Sequence, residues 1–394
     1  MATAGQRGVP RILYIGAFAT MADRFAVAPL LLPIAASFHA SLAAVSGAAS
    51  LYYLAYGLMP PLYGVLSDHF GRVRVIRAAL VGTALADVFS ALSPNLTALL
   101  VARFVTGGIA CGVFPTTLVY LADRFPFKVR QHAITNVLVF VALGTTAGTL
   151  GAGLTAHALS WRYFFLIPGA IALAVAIALR GLPESLVTRS SQNPLEQVAT
   201  VLRHRWAVFV LLLAVVVGAV MFGFVTYLAP ALEANGQSSA IAGAVVASYG
   251  VSVLFCIGVF GYVARRLPAA LILAGGAALL LTGYLLAGAT QSVAAILAAS
   301  VLAGGAYAFM QSTFQTWATD VVPEARGTAT SLFATAIFSG AALATSGAAG
   351  LASNHDYHTV FLVAALITLP VLVAGSLGRW RYRGSETDAL PMPN

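Results

Sequence analysis

The sequence predicts an all-α membrane protein with twelve transmembrane helices arranged as two six-helix bundles. Three observations predict this fold. The 394 residues are 60% hydrophobic and only 8% charged, well above the apolar share of about 45–50% in soluble domains. Apolar runs of about twenty residues, the length that crosses a bilayer, recur along the chain. Part of the first half of the sequence also returns in the second half.

The apolar runs are separated by short polar breaks, and each run is predicted to form one helix. The predicted helices cover 11–36, 46–67, 73–92, 97–122, 131–156, 163–180, 207–231, 240–264, 268–288, 292–318, 327–351 and 359–378. The longest break, 183–206, contains Pro183 and Pro194 and is predicted to be a cytoplasmic linker. It divides an N-terminal bundle, 1–182, from a C-terminal bundle, 207–394.

The two halves repeat at a shift of 197 residues. The matching pairs include Tyr52 with Tyr249, Gly64 with Gly261, Gly107 with Gly304, Asp123 with Asp320, and Pro126 with Pro323. Two repeated bundles with a site between them near the membrane midplane are typical of secondary transporters. The match is imperfect, because Arg265 stands opposite Asp68.

The arginines are concentrated in the breaks that follow every second helix. Cytoplasmic loops of membrane proteins carry an excess of basic residues, so both termini are predicted to be cytoplasmic. The same rule accounts for the net charge of +9 without nucleic acid as a partner. Cys111 and Cys256 lie inside apolar runs and are predicted to be core residues, with no disulfide and no metal.

The most informative break joins predicted helices 2 and 3. It contains Gly64, Asp68, Gly71, Arg72 and Arg74. Each charge would cost roughly 2.5–3.5 kcal/mol in hydrocarbon, so the segment is predicted to be a tight turn in water. Gly71 is suited to the positive φ of a helix terminus. An ordinary basic cytoplasmic loop is the alternative interpretation.

This segment, G-V-L-S-D-H-F-G-R-V-R, resembles the loop signature of the major facilitator superfamily between its second and third helices. His69 departs from the basic residue usual there. The first predicted helix and the segment V-A-R-F-V-T-G-G around Arg103 are similar to the proton-coupled drug and sugar efflux (drug:H⁺ antiporter, 12-helix) branch. The resemblance implies transport of a small-molecule substrate by alternating access. It also implies a monomer that crosses an inner cell membrane several times, and we predict that this membrane is bacterial.

Predicted helix 5 contains a glycine-rich run, G-T-T-A-G-T-L-G-A-G, that resembles the antiporter signature. The Gly-Pro step of that signature is absent, because Thr149 follows Gly148. Close helix packing by small residues is an alternative reason for the glycines. Export by proton antiport is the favoured interpretation, and symport or uniport of a small metabolite remains the alternative.

Four ionisable residues fall inside the apolar runs, where such groups are functional candidates. At about 1.5 Å per residue, Asp23, Asp87 and Arg103 come to one layer just outside the midplane. Asp23 is predicted to pair with Arg103 and to release it on protonation, as a proton-coupled carrier requires. The alternative is a static ion pair. Arg24 points about 100° away from Asp23 and needs another partner.

Polar and aromatic residues near mid-depth are the candidate cavity lining. They are Tyr56, Asn136, Tyr227, Tyr249, Tyr307, Gln311 and Phe338. A tyrosine offers both a ring and a hydroxyl to an amphipathic ligand. Because few of the lining residues are charged, the predicted solute is lipophilic or amphipathic.

Charged residues of both halves are predicted to meet at the cytoplasmic side. Asp68, Arg72 and Arg74 would form an ion-pair latch with Asp123, Arg130, Asp320 and Arg326. The latch would hold the state that is open to the outside. The alternative is a solvated basic cluster.

Several function classes lack their sequence signatures. The only lysine, Lys128, does not belong to a nucleotide-binding Gly-x-x-x-x-Gly-Lys motif, so the chain is not an ATP-driven pump. The zinc motif His-Glu-x-x-His and the nucleophile motif Gly-x-Ser-x-Gly are also absent. An enzyme is therefore not expected, and neither is a cofactor.

Overall fold

The computed structural model describes residues 9–185 and 194–382, apart from the side chains of residues 127–128 and 194–195. Within these ranges ten helices are long and apolar enough to cross a membrane, and two bent helix pairs bring the number to twelve. We number these segments in chain order: α1 Ile12–Ala26 with Ala28–Phe38, α2 Leu42–Leu58 with Pro60–Phe70, α3 Arg72–Leu92, α4 Leu96–Arg124, α5 Phe127–Ala158, α6 Trp161–Gly181, α7 Arg205–Ala234, α8 Ser239–Val263, α9 Ala269–Ala289, α10 Val293–Val321, α11 Pro323–Ser353 and α12 Tyr357–Arg381.

The predicted all-helical class and the twelve segments are confirmed, and the structure adds detail to several of them. The α1 segment bends by 41° between Ala26 and Ala28, and α2 bends by 49° before Pro60. Proline cannot donate the helical hydrogen bond, which explains a break at these positions. The predicted linker contains a helix, Pro194–Arg203, that the sequence reading did not anticipate.

The internal repeat is visible in the way the helices begin. Ser41 and Ser238, which are 197 residues apart, each accept a hydrogen bond from a backbone N–H in the first turn of the following helix. Asn95 and Ser292 are another such pair, and they cap α4 and α10. Capping side chains at equivalent positions start equivalent helices in both halves.

The repeat is also visible in helix packing. A Cβ added at Gly107 on α4 would lie 2.3 Å from the Tyr52 carbonyl oxygen of α2. A Cβ added at Gly304 on α10 would lie 2.2 Å from the Tyr249 carbonyl oxygen of α8. The sequence pairs Tyr52 with Tyr249 and Gly107 with Gly304, so these matches correspond to the same close contact in each half.

The halves meet through α5 with α8 and through α2 with α11. We call the end of the molecule with the α2–α3, α4–α5, α8–α9 and α10–α11 connections the basic end. Toward the other end, a Cβ at Gly153 on α5 would lie 2.3 Å from the Ser239 carbonyl oxygen of α8. Toward the basic end, glycines of α8 and α11 have open space at the Cβ position: Gly258, Gly261 and Gly327. The halves therefore pack closely at Gly153, whereas these three glycines of the second half have no neighbour at their Cβ positions.

Candidate functional site

Asp23 and Arg103 form a bidentate ion pair in the interior of the first half. Arg103 Nη1 donates to Asp23 Oδ1 at 2.7 Å, and Nη2 donates to Oδ2 at 3.1 Å. Both side chains have 0% exposure. The Arg103 guanidinium also lies 4.8 Å from the ring centroids of Tyr52 and Phe165. The structure thus places the predicted partners together, away from water.

Asp87 of α3 completes this cluster. Its Oδ1 lies 3.6 Å from Arg103 Nη1, and its side chain is also fully buried. Within the described residues, neither Asp87 oxygen has a hydrogen-bond partner. Two buried carboxyl groups therefore share one guanidinium. A buried charge is costly unless it is paired, so one proton on this cluster would relieve the excess negative charge.

The glycines of α5 bring α1 into position for this cluster. A Cβ at Gly144 would lie 2.4 Å from the Phe18 carbonyl oxygen, and one at Gly148 would lie 2.3 Å from the Ala22 carbonyl oxygen. These contacts fit the small-residue packing typical of membrane helices. They hold α1 against α5 at the turn that carries Asp23 and Arg24.

Arg24 lies outside the ion-pair cluster, in a box of aromatic rings. Its guanidinium carbon is 5.0–5.5 Å from four ring centroids, those of Phe25, Tyr56, Phe222 and Phe338. The side chain is buried, and its Nε has no hydrogen-bond partner in the described chain. Desolvated cation–π contacts stabilise by about 2 kcal/mol each, but they leave the charge unneutralised.

Arg24 also lines the central cavity between the two halves. The first half contributes α1, α2 and α5 to its wall, and the second half contributes α7 and α8. Hydroxyl groups of Tyr53 and Thr226 approach to 3.5 Å across this boundary. The cavity measures about 20 Å³, room for about one water molecule. It is a small site lined by both halves.

Four of the predicted lining residues lie at this site. Tyr56 and Phe338 contact Arg24, and their ring centroids are 4.6 Å apart. Tyr249 lines the cavity, and Tyr307 packs against Tyr249 and Phe222.

The other three predicted lining residues lie elsewhere. Tyr227 is buried, and its hydroxyl donates to the Thr345 carbonyl oxygen. Asn136 is exposed on α5. Gln311 is half-buried, and its Oε1 has no hydrogen-bond partner in the described chain. None of these three is among the residues around the central cavity.

The turn between α2 and α3 forms a network within the first half. Arg72 pairs with Asp68, bonds Ser67 at 2.6 Å, and reaches Asp123 of α4 at 3.2 Å. Gly71 has φ +97°, as the sequence led us to expect. The network ties α2, α3 and α4 together at the basic end.

The latch between the halves stays a prediction, because the described ion pairs of Asp68, Arg72 and Asp123 lie within the first half. Within the described residues, each ion pair lies in the first half. Arg74 and Arg326 are exposed, Arg130 is half-buried at the start of α5, and the Asp320 carbonyl oxygen accepts from Tyr382. Gly64 has open space around its Cβ position.

Sequence reasoning missed several residues of both sites. Glu184, just after α6, accepts the Val73 N–H at 2.6 Å and so caps α3. Phe25 and Phe222 are two walls of the aromatic box, and they are 197 residues apart. That equivalence was a signal that could have identified Phe222.

Comparison with known proteins identifies the family. The Major Facilitator Superfamily profile matches residues 13–345 and 228–392. The chain belongs to the Major Facilitator Superfamily. Transporters are among its relatives and structural neighbours, and this chain is accordingly a membrane transporter of the Major Facilitator type and not an enzyme.

Individual relatives match over shorter stretches. The niacin transporter NiaP of Acinetobacter baylyi is 31% identical over 137 residues, which cover 35% of this chain and 31% of that protein. The quinolone resistance protein NorB of Staphylococcus aureus is 25% identical over 157 residues, 40% of this chain and 34% of NorB. These matches span about a third of the length of each relative.

The fold itself matches over nearly the full length. The crystal structure of a point mutant of the nucleoside transporter NupG aligns with a TM-score of 0.78 at 15% identity. The alignment covers 94% of this chain and 99% of NupG. At this identity the similarity establishes the architecture alone.

Proposed function

We propose that this chain is a proton-coupled secondary transporter that exports small amphipathic molecules in exchange for protons. The observation that carries the proposal is the fully buried cluster in which Asp23 and Asp87 share Arg103. Such intramembrane groups mark proton relays in transporters. The cluster lies beside a cavity that both halves enclose, which suits alternating access.

The cluster offers a two-state element. Arg103 is bidentate on Asp23 and 3.6 Å from Asp87. A proton on Asp23 would remove the charge that holds Arg103, and the guanidinium would then move to Asp87. Because α1 carries both Asp23 and Arg24, a change in this ion pair would shift the cavity wall. Arg103 would thus have two arrangements, one on Asp23 and one on Asp87. If both the proton and the solute change the balance between them, proton movement and solute movement are coupled.

Antiport is supported by the glycine-rich α5 and by the similarity to the quinolone resistance protein. Symport or uniport of a small metabolite is the alternative. It is supported by the absence of the Gly-Pro step from α5 and by the similarity to a niacin transporter.

We further propose that the basic end faces the cytoplasm of a bacterial cell and that the protein acts as a monomer in the inner membrane. In the outward-open state the basic-end charges, Asp68 and Arg72 with Asp320 and Arg326, would close the latch.

Flux in proteoliposomes tests this proposal. Vesicles with a trapped pH dye would receive amphipathic cations, neutral molecules and anions under a pH gradient of either sign. Antiport predicts that at least one solute moves in the direction opposite to the protons and shifts the dye signal. Uphill movement of that solute should stop when the pH gradient is collapsed. Solute flux with no accompanying proton movement would contradict proton coupling, and movement of both in one direction would establish the symport alternative.

A further inference from the structure

We propose that Arg24 is an anion-binding residue and that the transported solute is an organic monoanion with a flat apolar body. This inference rests on the proposed transport function and names the class of its solute. The anionic group would contact the Arg24 guanidinium, and the apolar body would lie among the surrounding rings.

The first support is a buried positive charge without a counter-ion. Arg24 is only 6% exposed. In the described part of the chain its guanidinium takes part in neither an ion pair nor a hydrogen bond. Buried charges in proteins are normally paired, so the missing negative charge is expected to arrive with a ligand.

The nearby carboxylates are not available to Arg24. Asp23 is its neighbour in sequence but points about 100° away on the helix. Both Asp23 oxygens accept from Arg103, and Asp87 Oδ1 lies 3.6 Å from Nη1 of the same arginine. Arg103 thus has two buried carboxyl groups beside it, whereas Arg24 has none within ion-pair distance in the described chain.

The second support is the shape of the surroundings. Arg24 faces the central cavity, whose wall also contains Phe25, Tyr53, Phe222 and Tyr249. A planar guanidinium presents paired N–H donors that match a carboxylate or sulfonate. Aromatic walls favour a flat apolar body. A single cation suits one negative charge, which disfavours a phosphate ester with two.

The box is built from both halves, which connects anion binding to transport. Phe25 and Tyr56 come from the first half, whereas Phe222 and Phe338 come from the second. The cavity now has room for about one water molecule. A solute can therefore enter only when the rings of the second half move away from Arg24, and its binding would bring the halves together around it.

Binding of matched acid and amide pairs to the purified protein in lipid nanodiscs tests the proposal. The probes are benzoate with benzamide, 2-naphthoate with 2-naphthamide, and 2-anthroate with its amide. In the unmodified protein at least one acid should bind ten times more tightly than its amide. Arg24→Gln should abolish this preference, and Arg24→Lys should retain part of it because the charge remains.

A matched control is available at Arg266. This exposed arginine lies 4.2 Å from the Tyr262 ring centroid but outside the cavity, so Arg266→Gln should leave the preference unchanged. Cooperative thermal unfolding of the ligand-free Arg24→Gln protein confirms that the variant folds.

Two results would overturn the inference: no acid binds better than its amide, or the preference persists in Arg24→Gln. Flux measurements separate this failure from failure of the proposed function. If protons accompany transport but the amides are carried as well as the acids, the solute class is wrong and proton coupling stands. If an Arg24-dependent acid is carried without protons, the solute class stands and proton coupling is wrong.

Discussion

The two halves share one scaffold but place different chemistry at equivalent positions. In the first half Asp23, Asp87 and Arg103 form a buried charged cluster. A shift of 197 residues replaces them with Val220, Tyr284 and Ser300. There the Tyr284 hydroxyl donates to the Val220 carbonyl oxygen, so neutral groups fill the same space.

This difference indicates that the same helix arrangement can form with neutral side chains at these positions. At the equivalent positions the second half has only uncharged side chains, and Tyr284 packs there against Phe224 and Phe361. Buried ion pairs contribute little net stability compared with well-packed apolar groups. The charged cluster of the first half is therefore consistent with the proposed role in proton coupling, and the second half serves as an internal control.

The largest stability effect should come from Arg103→Leu. The substitution leaves two buried carboxyl groups without their cation, and loss of one partner of a buried pair costs about 3–5 kcal/mol. At the equivalent position, Ser300 Oγ has no hydrogen-bond partner in the described chain. Ser300→Ala should therefore change the unfolding free energy by only about 0.5 kcal/mol. Denaturant unfolding in detergent measures both.

A double variant sharpens this result. Adding Asp23→Asn to Arg103→Leu removes one uncompensated charge and should recover part of the loss. Equal losses for Arg103→Leu and Ser300→Ala would mean that the cluster is not electrostatically distinct from its counterpart.

Equivalent glycines should behave alike in both halves. A Cβ would lie 2.3 Å from a carbonyl oxygen at Gly107 and 2.2 Å at Gly304. Overpacking of this kind typically costs about 1–3 kcal/mol, so Gly107→Ala and Gly304→Ala should destabilise by similar amounts in thermal unfolding. Gly261→Ala is the matched control, since its Cβ position is open. A loss confined to one half would contradict a shared scaffold.

A smaller effect is expected at the basic end, where the halves differ again. The Glu184 carboxylate caps α3 through the Val73 N–H, whereas Pro268 before α9 provides no side-chain cap. Glu184→Ala removes the acceptor and should lower the unfolding free energy by about 1 kcal/mol, the usual value of a helix cap. Glu324→Ala, at the exposed α10–α11 turn, should have no measurable effect on thermal unfolding. Equal effects would argue against the cap.

The sequence was sufficient for the fold and for the ionic cluster. The lengths of the apolar runs predicted the twelve membrane segments. The constant rise per helical residue predicted that Asp23, Asp87 and Arg103 lie at one depth. Both inferences use geometry within single helices, which sequence position determines directly.

The environment of Arg24 was not predictable in this way. Two of its rings, Phe222 and Phe338, come from helices of the other half of the chain, and their contact depends on how the halves pack. Tyr227 and Tyr56 are both tyrosines near mid-depth, and the sequence could not distinguish them. In the structure the Tyr227 hydroxyl donates to the Thr345 carbonyl oxygen and does not reach the cavity. Depth alone could not show which face of each helix is turned toward the cavity.

The central claim is that Asp23 exchanges a proton as Arg103 is released. Proton flux driven by a transported solute in proteoliposomes tests it, with Asp23→Asn compared against Tyr284→Phe, a change within the equivalent neutral site. The account predicts that Asp23→Asn lowers the proton flux at least tenfold while solute binding persists, and that Tyr284→Phe leaves the flux unchanged. Undiminished proton flux in Asp23→Asn would contradict the account.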